Sequence, residues 1–305
     1  MKTIRAVLAA SSIIILLNAI TFAAAPTSGF FLPDSVNEMT LTYRTVRGLI
    51  VLPVTLNDSV HVNLILDTGC RNLILFGKKF TKLFKMNSGR PVIFSGLGSG
   101  KSVTGTLSLG NSVSIGEVVG QKIPVVVVPS SNLFKSYHNV HGVIGYDIFL
   151  KFEVELNANA RTITFRPALK ASIPPGYTQV PLHVVDARPL VKSEVFVENN
   201  TSRALDLMID TGSSLGLLLK TTNISEFDHH GEERILGIGF NGPVSGYGVV
   251  SRRLRLNGLD IERVSTGIVS SEWHNNASIG MEILKDYIVI LNYCKAYACF
   301  RKNEV

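Results

Sequence analysis

The chain has 305 residues, 46% of them hydrophobic and only 17% charged, which is apolar material enough for one large or two ordinary domains and excludes a disordered chain. Val, Ile, Leu, Thr, Gly and Ser recur in short alternating runs, a pattern that favours an all-β protein. The formal charge of +7 is a mild excess compatible with anionic surfaces or substrates, and because the Lys and Arg residues are scattered without interleaved aromatics it gives no nucleic-acid reading.

Residues 1–25 read as an export signal: Lys2 and Arg5 precede an apolar run from Ala6 to Leu17 that ends in Ala23-Ala24-Ala25. The small-residue end favours cleavage, while the length of the run leaves an uncleaved anchor open. Either way the folded part is expected outside the cytoplasm, secreted, periplasmic or at the cell surface. No later segment has the continuity of a membrane-spanning helix; Val125 to Val128 is a strand-sized run. Residues 26–44 form an N-terminal extension.

Strands are expected over Leu49 to Leu56 and Val60 to Leu66, joined by a turn at Asn57-Asp58, and the second of them delivers Asp67 at its end. Further strands follow at Leu73 to Phe76, Lys101 to Leu109 and Lys122 to Val128, then a short helix over Tyr146 to Leu150. A hairpin of Phe152 to Leu156 and Arg161 to Phe165 closes the unit. Residues 167–177, rich in Pro, Ala and Gly, have linker composition and divide a unit at 45–166 from one at 178–305.

The second unit repeats the first. Residues 61–70 resemble residues 204–213, and the two Asp-Thr-Gly triplets, Asp67-Thr68-Gly69 and Asp210-Thr211-Gly212, are 210 − 67 = 143 positions apart. Residues 95–105 match 236–246, and residues 141–165 match 276–300, in the same order and with offsets that drift only by loop-sized changes. The chain is therefore a duplicated unit.

A carboxylate at the end of an apolar strand is expensive unless hydrogen bonds hold it. Thr at the next position can lock the loop through its hydroxyl, and Gly then permits a sharp turn and the close approach of a second segment. If the copies pack about a pseudo-twofold axis, Asp67 and Asp210 meet there. Two carboxylates that close share a proton, one serving as base and the other as acid, which is the handling of water that peptide hydrolysis requires.

Leu64-Ile65-Leu66-Asp67-Thr68-Gly69 and Leu207-Met208-Ile209-Asp210-Thr211-Gly212-Ser213 resemble the paired active-site motifs of pepsin-like and retroviral-type aspartic peptidases. Each is followed, as in that family, by a glycine-rich hairpin and then by an apolar pair and a glycine, Val143-Ile144-Gly145 and Ser278-Ile279-Gly280, the second with Ser at its first place. The resemblance covers about residues 45–301. It implies a bilobal all-β fold of two barrel-like lobes with short helices, Asp67 and Asp210 as the catalytic pair, and Thr68, Gly69, Cys70, Thr211, Gly212 and Ser213 as loop support. It also implies flap positions at Gly96, Gly98, Gly237 and Gly239, loop packing by Ile144, Gly145, Ile279 and Gly280, a peptide or protein substrate, no cofactor, no metal, and a monomer.

The departures are informative. No tyrosine lies between residues 90 and 110, where pepsin-like enzymes carry one in the flap; Tyr247 in the second copy is the one flap-like tyrosine. Near-equal copies with a glycine-rich hairpin each resemble a fused retroviral-type dimer. Cys70 stands where the family has a hydroxyl that donates to the neighbouring carboxylate, a role Ser213 is expected to keep on the other side. Cys294 and Cys299 have a spacing suited to a bridge across a hairpin turn, which leaves Cys70 as a lone buried thiol. His229 and His230, beside Asp228 and Glu232, read as a solvated turn rather than a metal site. A non-catalytic peptide- or glycan-binding protein of the same fold is the alternative to the peptidase, and the intact triplet in both copies favours the enzyme.

Overall fold

The structure, a computed structural model, describes residues 28–94, 96–130, 137–196, 202–227, 232–271 and 276–304. The candidate export signal and the Asp228, His229 and His230 loop lie outside the described residues. Among the described residues nearly all regular structure is β, with two four-residue α-helices, Tyr146–Phe149 and Met281–Leu284, and short 3-10 turns at Lys78–Lys82 and Ile224–Glu226. Among the described residues no helix is long and apolar enough to cross a membrane.

The duplication reappears as strand pairing. In the first copy Leu64–Leu66 runs parallel to Gly142–Ile144, and in the second Leu207–Ile209 runs parallel to Ala277–Ile279. The strand after each triplet, Leu73–Phe76 or Leu217–Thr221, pairs antiparallel with that same segment and parallel with Val125–Val128 or Thr266–Ser270. Segments sandwiched this way are covered on both faces, which is why Leu73 to Phe76 and Val125 to Val128 read as unbroken apolar runs and are buried at every position. The turn at Asn57 and Asp58 has positive φ at both residues, 48° and 59°, the two-residue geometry that Asn and Asp tolerate and that suits a hairpin's twist.

Three features differ from the expectation. The strand expected to stop at Leu109 runs over Val103–Ile115, and its partner begins at Val118. Gly110-Asn111 bends the ladder through register shifts instead of ending it, and the Asn111 amide donates to the Ser108 and Ile123 carbonyls, so the interruption leaves its own polar groups satisfied.

The hairpin that closes the first unit also does not stay within it. Strands Met39–Thr42, Thr162–Pro167 and Phe152–Asn157 continue directly into Tyr287–Asn292, Tyr297–Lys302 and Thr178–Val185, six strands shared across the linker. Glu153 from the first copy is fully buried there and accepts from Tyr297 and Asn292 of the second. Asn292 also donates to the Ala168 carbonyl at 2.9 Å, which ties the linker to the same sheet.

The third difference concerns the cysteines, all of which are free thiols. Cys299 is buried opposite Ile290, while Cys294 sits exposed in the turn beyond the last register pair, Asn292 and Tyr297, and donates to the Leu150 carbonyl at 3.1 Å. A bridge across this hairpin needs residues paired in register, and these two are not.

Candidate active site

Each Asp-Thr-Gly triplet leaves the end of a buried strand, and the two loops are locked to one another. Thr68 Oγ1 donates to the Ile209 carbonyl at 2.6 Å and accepts from Thr211 N–H at 3.0 Å. Reciprocally, Thr211 Oγ1 donates to the Leu66 carbonyl at 2.8 Å and accepts from Thr68 N–H at 3.0 Å. Both threonines are fully buried. Four hydrogen bonds crossing the axis in a water-free position fix the separation of the loops far more tightly than packing alone would.

Within each loop the same bonds recur. Asp67 N–H donates to the Ile144 carbonyl and Asp210 N–H to the Ile279 carbonyl, at 2.9 and 2.8 Å. Gly69 N–H donates to Asp67 Oδ1 at 2.8 Å, and Gly212 N–H to Asp210 Oδ1 at 3.0 Å. The glycine after each apolar pair is required by space: a Cβ on Gly145 would lie 1.8 Å from the Asp67 carbonyl oxygen. A Cβ on Gly212 would lie 2.4 Å from the Asp67 carboxyl carbon, so the carboxyl group of the first copy packs directly over the loop of the second.

Both carboxyl groups are half-buried, and both hold their protons above the usual carboxylate range. For Asp67 the first cause is loss of hydration and the second is the charge of Asp210, and together they push it up to about 7. Burial also raises Asp210, but there the positive charges of Lys220 and Arg188, with the Gly212 and Ser213 N–H groups, pull the other way. The two sites are thus unequal although their loops are alike. Among the described residues no group of three or more His, Cys, Asp or Glu could hold a metal ion.

The side chains of Cys70 and Ser213 do not take the role expected of them. Cys70 is buried, but its thiol points to the Asn72 carbonyl at 3.0 Å, and Ser213 Oγ accepts from Leu215 N–H at 3.3 Å. Each side chain closes its own turn, and the carboxylates are served by backbone N–H groups instead, those of Gly69 and Cys70 at Asp67 and of Gly212 and Ser213 at Asp210.

The two glycine-rich hairpins meet tip to tip. Gly100 N–H donates to the Asn241 carbonyl at 2.5 Å, Ser99 N–H to the Pro243 carbonyl at 3.0 Å, and Asn241 N–H to the Leu97 carbonyl at 3.3 Å. Gly96, Gly98 and Gly239 lie at this junction: Cβ atoms there would fall 2.8 Å from Phe240 Cβ, 2.7 Å from the Asn241 carbonyl carbon and 2.0 Å from the Leu97 carbonyl oxygen. Gly237 lies back along its strand, beside a register shift, and a Cβ there meets nothing. Phe240 reaches from the second tip to Phe76, beyond the first aspartate loop, with ring centroids 5.9 Å apart. Tyr247 is a strand residue paired with Ile268, well back from the tip.

The features that sequence reasoning missed are Asn241 and Leu97 at the junction and the cations Lys220 and Arg188 near the aspartates. The sequence carries no direct signal for the cations: at the triplet offset of 143 Lys220 stands opposite Gly77 and Arg188 opposite Thr45, and only the strand register equates them with Phe76 and Leu49.

The aspartyl protease family matches the chain over residues 52–148, which hold the first triplet, the first hairpin and the Val143-Ile144-Gly145 segment. No curated protein matches the chain.

Proposed function

We propose that the protein is an aspartic endopeptidase that hydrolyses peptide bonds with a water activated between Asp67 and Asp210. The observation that carries this reading is the reciprocal Thr68–Thr211 lock, which holds two proton-sharing carboxyl groups at one axis inside an aspartyl protease fold. Burial of two carboxylates is costly and has no use in a protein that only binds.

The unequal surroundings suggest the roles. Asp67, raised to about 7, keeps the proton and donates it to the oxygen that develops charge; Asp210, opposed by Lys220 and Arg188, is the anion that takes a proton from water. An extended peptide would lie between the aspartate loops and the hairpin tips, bound by strand-like backbone hydrogen bonds. The tips are bonded to one another in this structure, so entry of a peptide requires them to part. We further propose that the enzyme is exported and acts as a monomer, both aspartates being supplied by one chain.

The test is cleavage of an unfolded protein between about pH 3 and pH 8, a range that brackets the ordinary and raised carboxyl values, with and without pepstatin. Asp67→Asn and Asp210→Asn should each abolish cleavage in a protein that still folds. Full activity in either variant would refute the assignment.

A further inference from the structure

The first copy carries a polar cavity away from the aspartates. Across the antiparallel strands Leu49–Leu56 and Val60–Leu66, Pro53 stands opposite Asn63 and Thr55 opposite His61, and Thr55 also meets Ser114 on the next strand. Residues paired this way project from one face of the sheet. Together with Asn139 and His141 they line a cavity of about 540 Å³, within the size range of small-molecule sites. Its walls offer hydroxyl, amide and imidazole groups, and among the described residues they include no carboxylate, no member of the aspartate loops and no member of the hairpin tips.

The rim is cationic. Arg44 donates to the Asn139 carbonyl at 2.6 Å. Burial, with the charges of Lys79 and Arg44, holds the His141 imidazole below its ordinary value, and its Nδ1 accepts from Asn63 N–H at 3.0 Å. The proton of the neutral ring is then on Nε2. Among the described residues neither Arg44 nor Lys79 has an acidic partner, and the Asn63 side-chain amide makes no hydrogen bond. Residues 45–166 hold 13 Lys and Arg against 6 Asp and Glu, whereas residues 178–305 hold 13 against 15. The positive excess of the chain therefore belongs to the copy with the cavity.

The second copy shows which charge the first one lacks. Asn63 and Asp206 each lie four residues before a triplet aspartate, and they pair with Pro53 and Lys192. Two residues before those partners, Val51 pairs with Arg44 and Leu190 with His183. Register thus equates Asn63 with Asp206 and Arg44 with His183. In the second copy Asp206 Oδ1 meets Lys192 Nζ at 2.6 Å and His183 Nε2 at 3.8 Å, so the cations there are balanced by a carboxylate of the chain itself. The first copy keeps a cation, Arg44, and replaces the carboxylate with the amide of Asn63, beside which the cavity opens.

We propose that this cavity is a second binding site, separate from the aspartates, for a small hydroxylated carboxylate of the sugar-acid class. The ligand's carboxylate takes the place that Asp206 fills in the second copy, accepting from Arg44 and the Asn63 amide, and its hydroxyls bond to Thr55, His61 and Ser114. A carboxylate alone would leave most of the cavity empty, and the neutral polar walls suit hydroxyl groups. This site goes beyond the peptidase reading and does not depend on it.

The test is a calorimetric titration of the protein with glucuronate at about pH 7, where its carboxylate is ionised, with glucose as the uncharged control. Glucuronate should bind saturably, and glucose about tenfold or more weakly, the scale of a charge-assisted hydrogen bond. Arg44→Met should weaken glucuronate binding by about the same factor. Asn63→Asp, which gives the first copy the carboxylate of the second, should abolish it. Thermal unfolding of both variants shows whether they remain folded, and the wild-type comparison of glucuronate with glucose decides alone if they do not. Absence of saturable glucuronate binding, equal binding of glucose, tighter binding of inorganic phosphate, or an affinity unchanged in both folded variants would each overturn the proposal.

Discussion

The raised Asp67 carboxyl makes a thermodynamic prediction that does not depend on catalysis. In the unfolded chain an aspartate releases its proton near pH 3.9, whereas in the folded protein Asp67 holds it up to about 7. A group that binds its proton more tightly when folded contributes fully to stability below the unfolded value, and that contribution is lost as pH rises to the folded one. The difference, about three pK units at 1.36 kcal/mol each, is about 4 kcal/mol. Asp67→Asn is neutral at every pH and can keep the Gly69 N–H bond through its own carbonyl oxygen, so it escapes this decline. The variant should match wild type near pH 4 and exceed it by about 4 kcal/mol near pH 8, or about 10 °C in Tm for a chain of this size. Thermal or urea unfolding of both proteins between those limits measures it. Parallel stability curves would show that Asp67 ionises normally and would remove the electrostatic basis of the proposed site.

Three other substitutions probe separate parts of the site. Thr68→Val should cost about 2–4 kcal/mol, because it removes two buried hydrogen bonds across the axis and orphans Thr211 N–H and the Ile209 carbonyl; chemical denaturation reads this directly, and a loss under about 0.5 kcal/mol would mean the lock carries no load. Since the Lys220 charge holds Asp210 down, Lys220→Met should move the acid limb of the kcat/KM profile toward higher pH, and a shift toward lower pH would contradict the assigned sign. Cys70→Ser should leave that limb in place, because the thiol faces the Asn72 carbonyl and not a carboxylate; a displaced limb in the pH profile would show otherwise.

The symmetric part of this protein was legible from residues alone, and for a physical reason. A strand that ends in Asp-Thr-Gly must bury its apolar run and hold its carboxylate, so the local sequence is tightly constrained and repeats recognisably at residues 64–69 and 207–212. The turn at Asn57-Asp58 was legible for the same kind of reason, since few residues accept its backbone angles. Long-range pairing carries no such local signature. Nothing near Val154 indicates that Leu291 will lie beside it, so residues alone give a closing hairpin in each copy and not the joining of the two hairpins, with Met39–Thr42 and Thr178–Val185, into six strands across the linker. Side-chain direction was equally hidden. Cys70 occupies the expected place in the chain, yet its rotamer closes a turn, and Cys294 and Cys299 have a bridging interval but not a bridging register.

The asymmetric part shows what duplication makes possible at this site. In a strictly symmetric pair each carboxyl group would see the same surroundings, and nothing but a bound substrate would decide which keeps the proton. Here the loops, the threonine lock and the glycine donors remain equivalent, while the wall beside them is apolar at Leu49 and Phe76 in one copy and cationic at Arg188 and Lys220 in the other. The cations bias the pair before any peptide arrives, lowering Asp210 relative to Asp67.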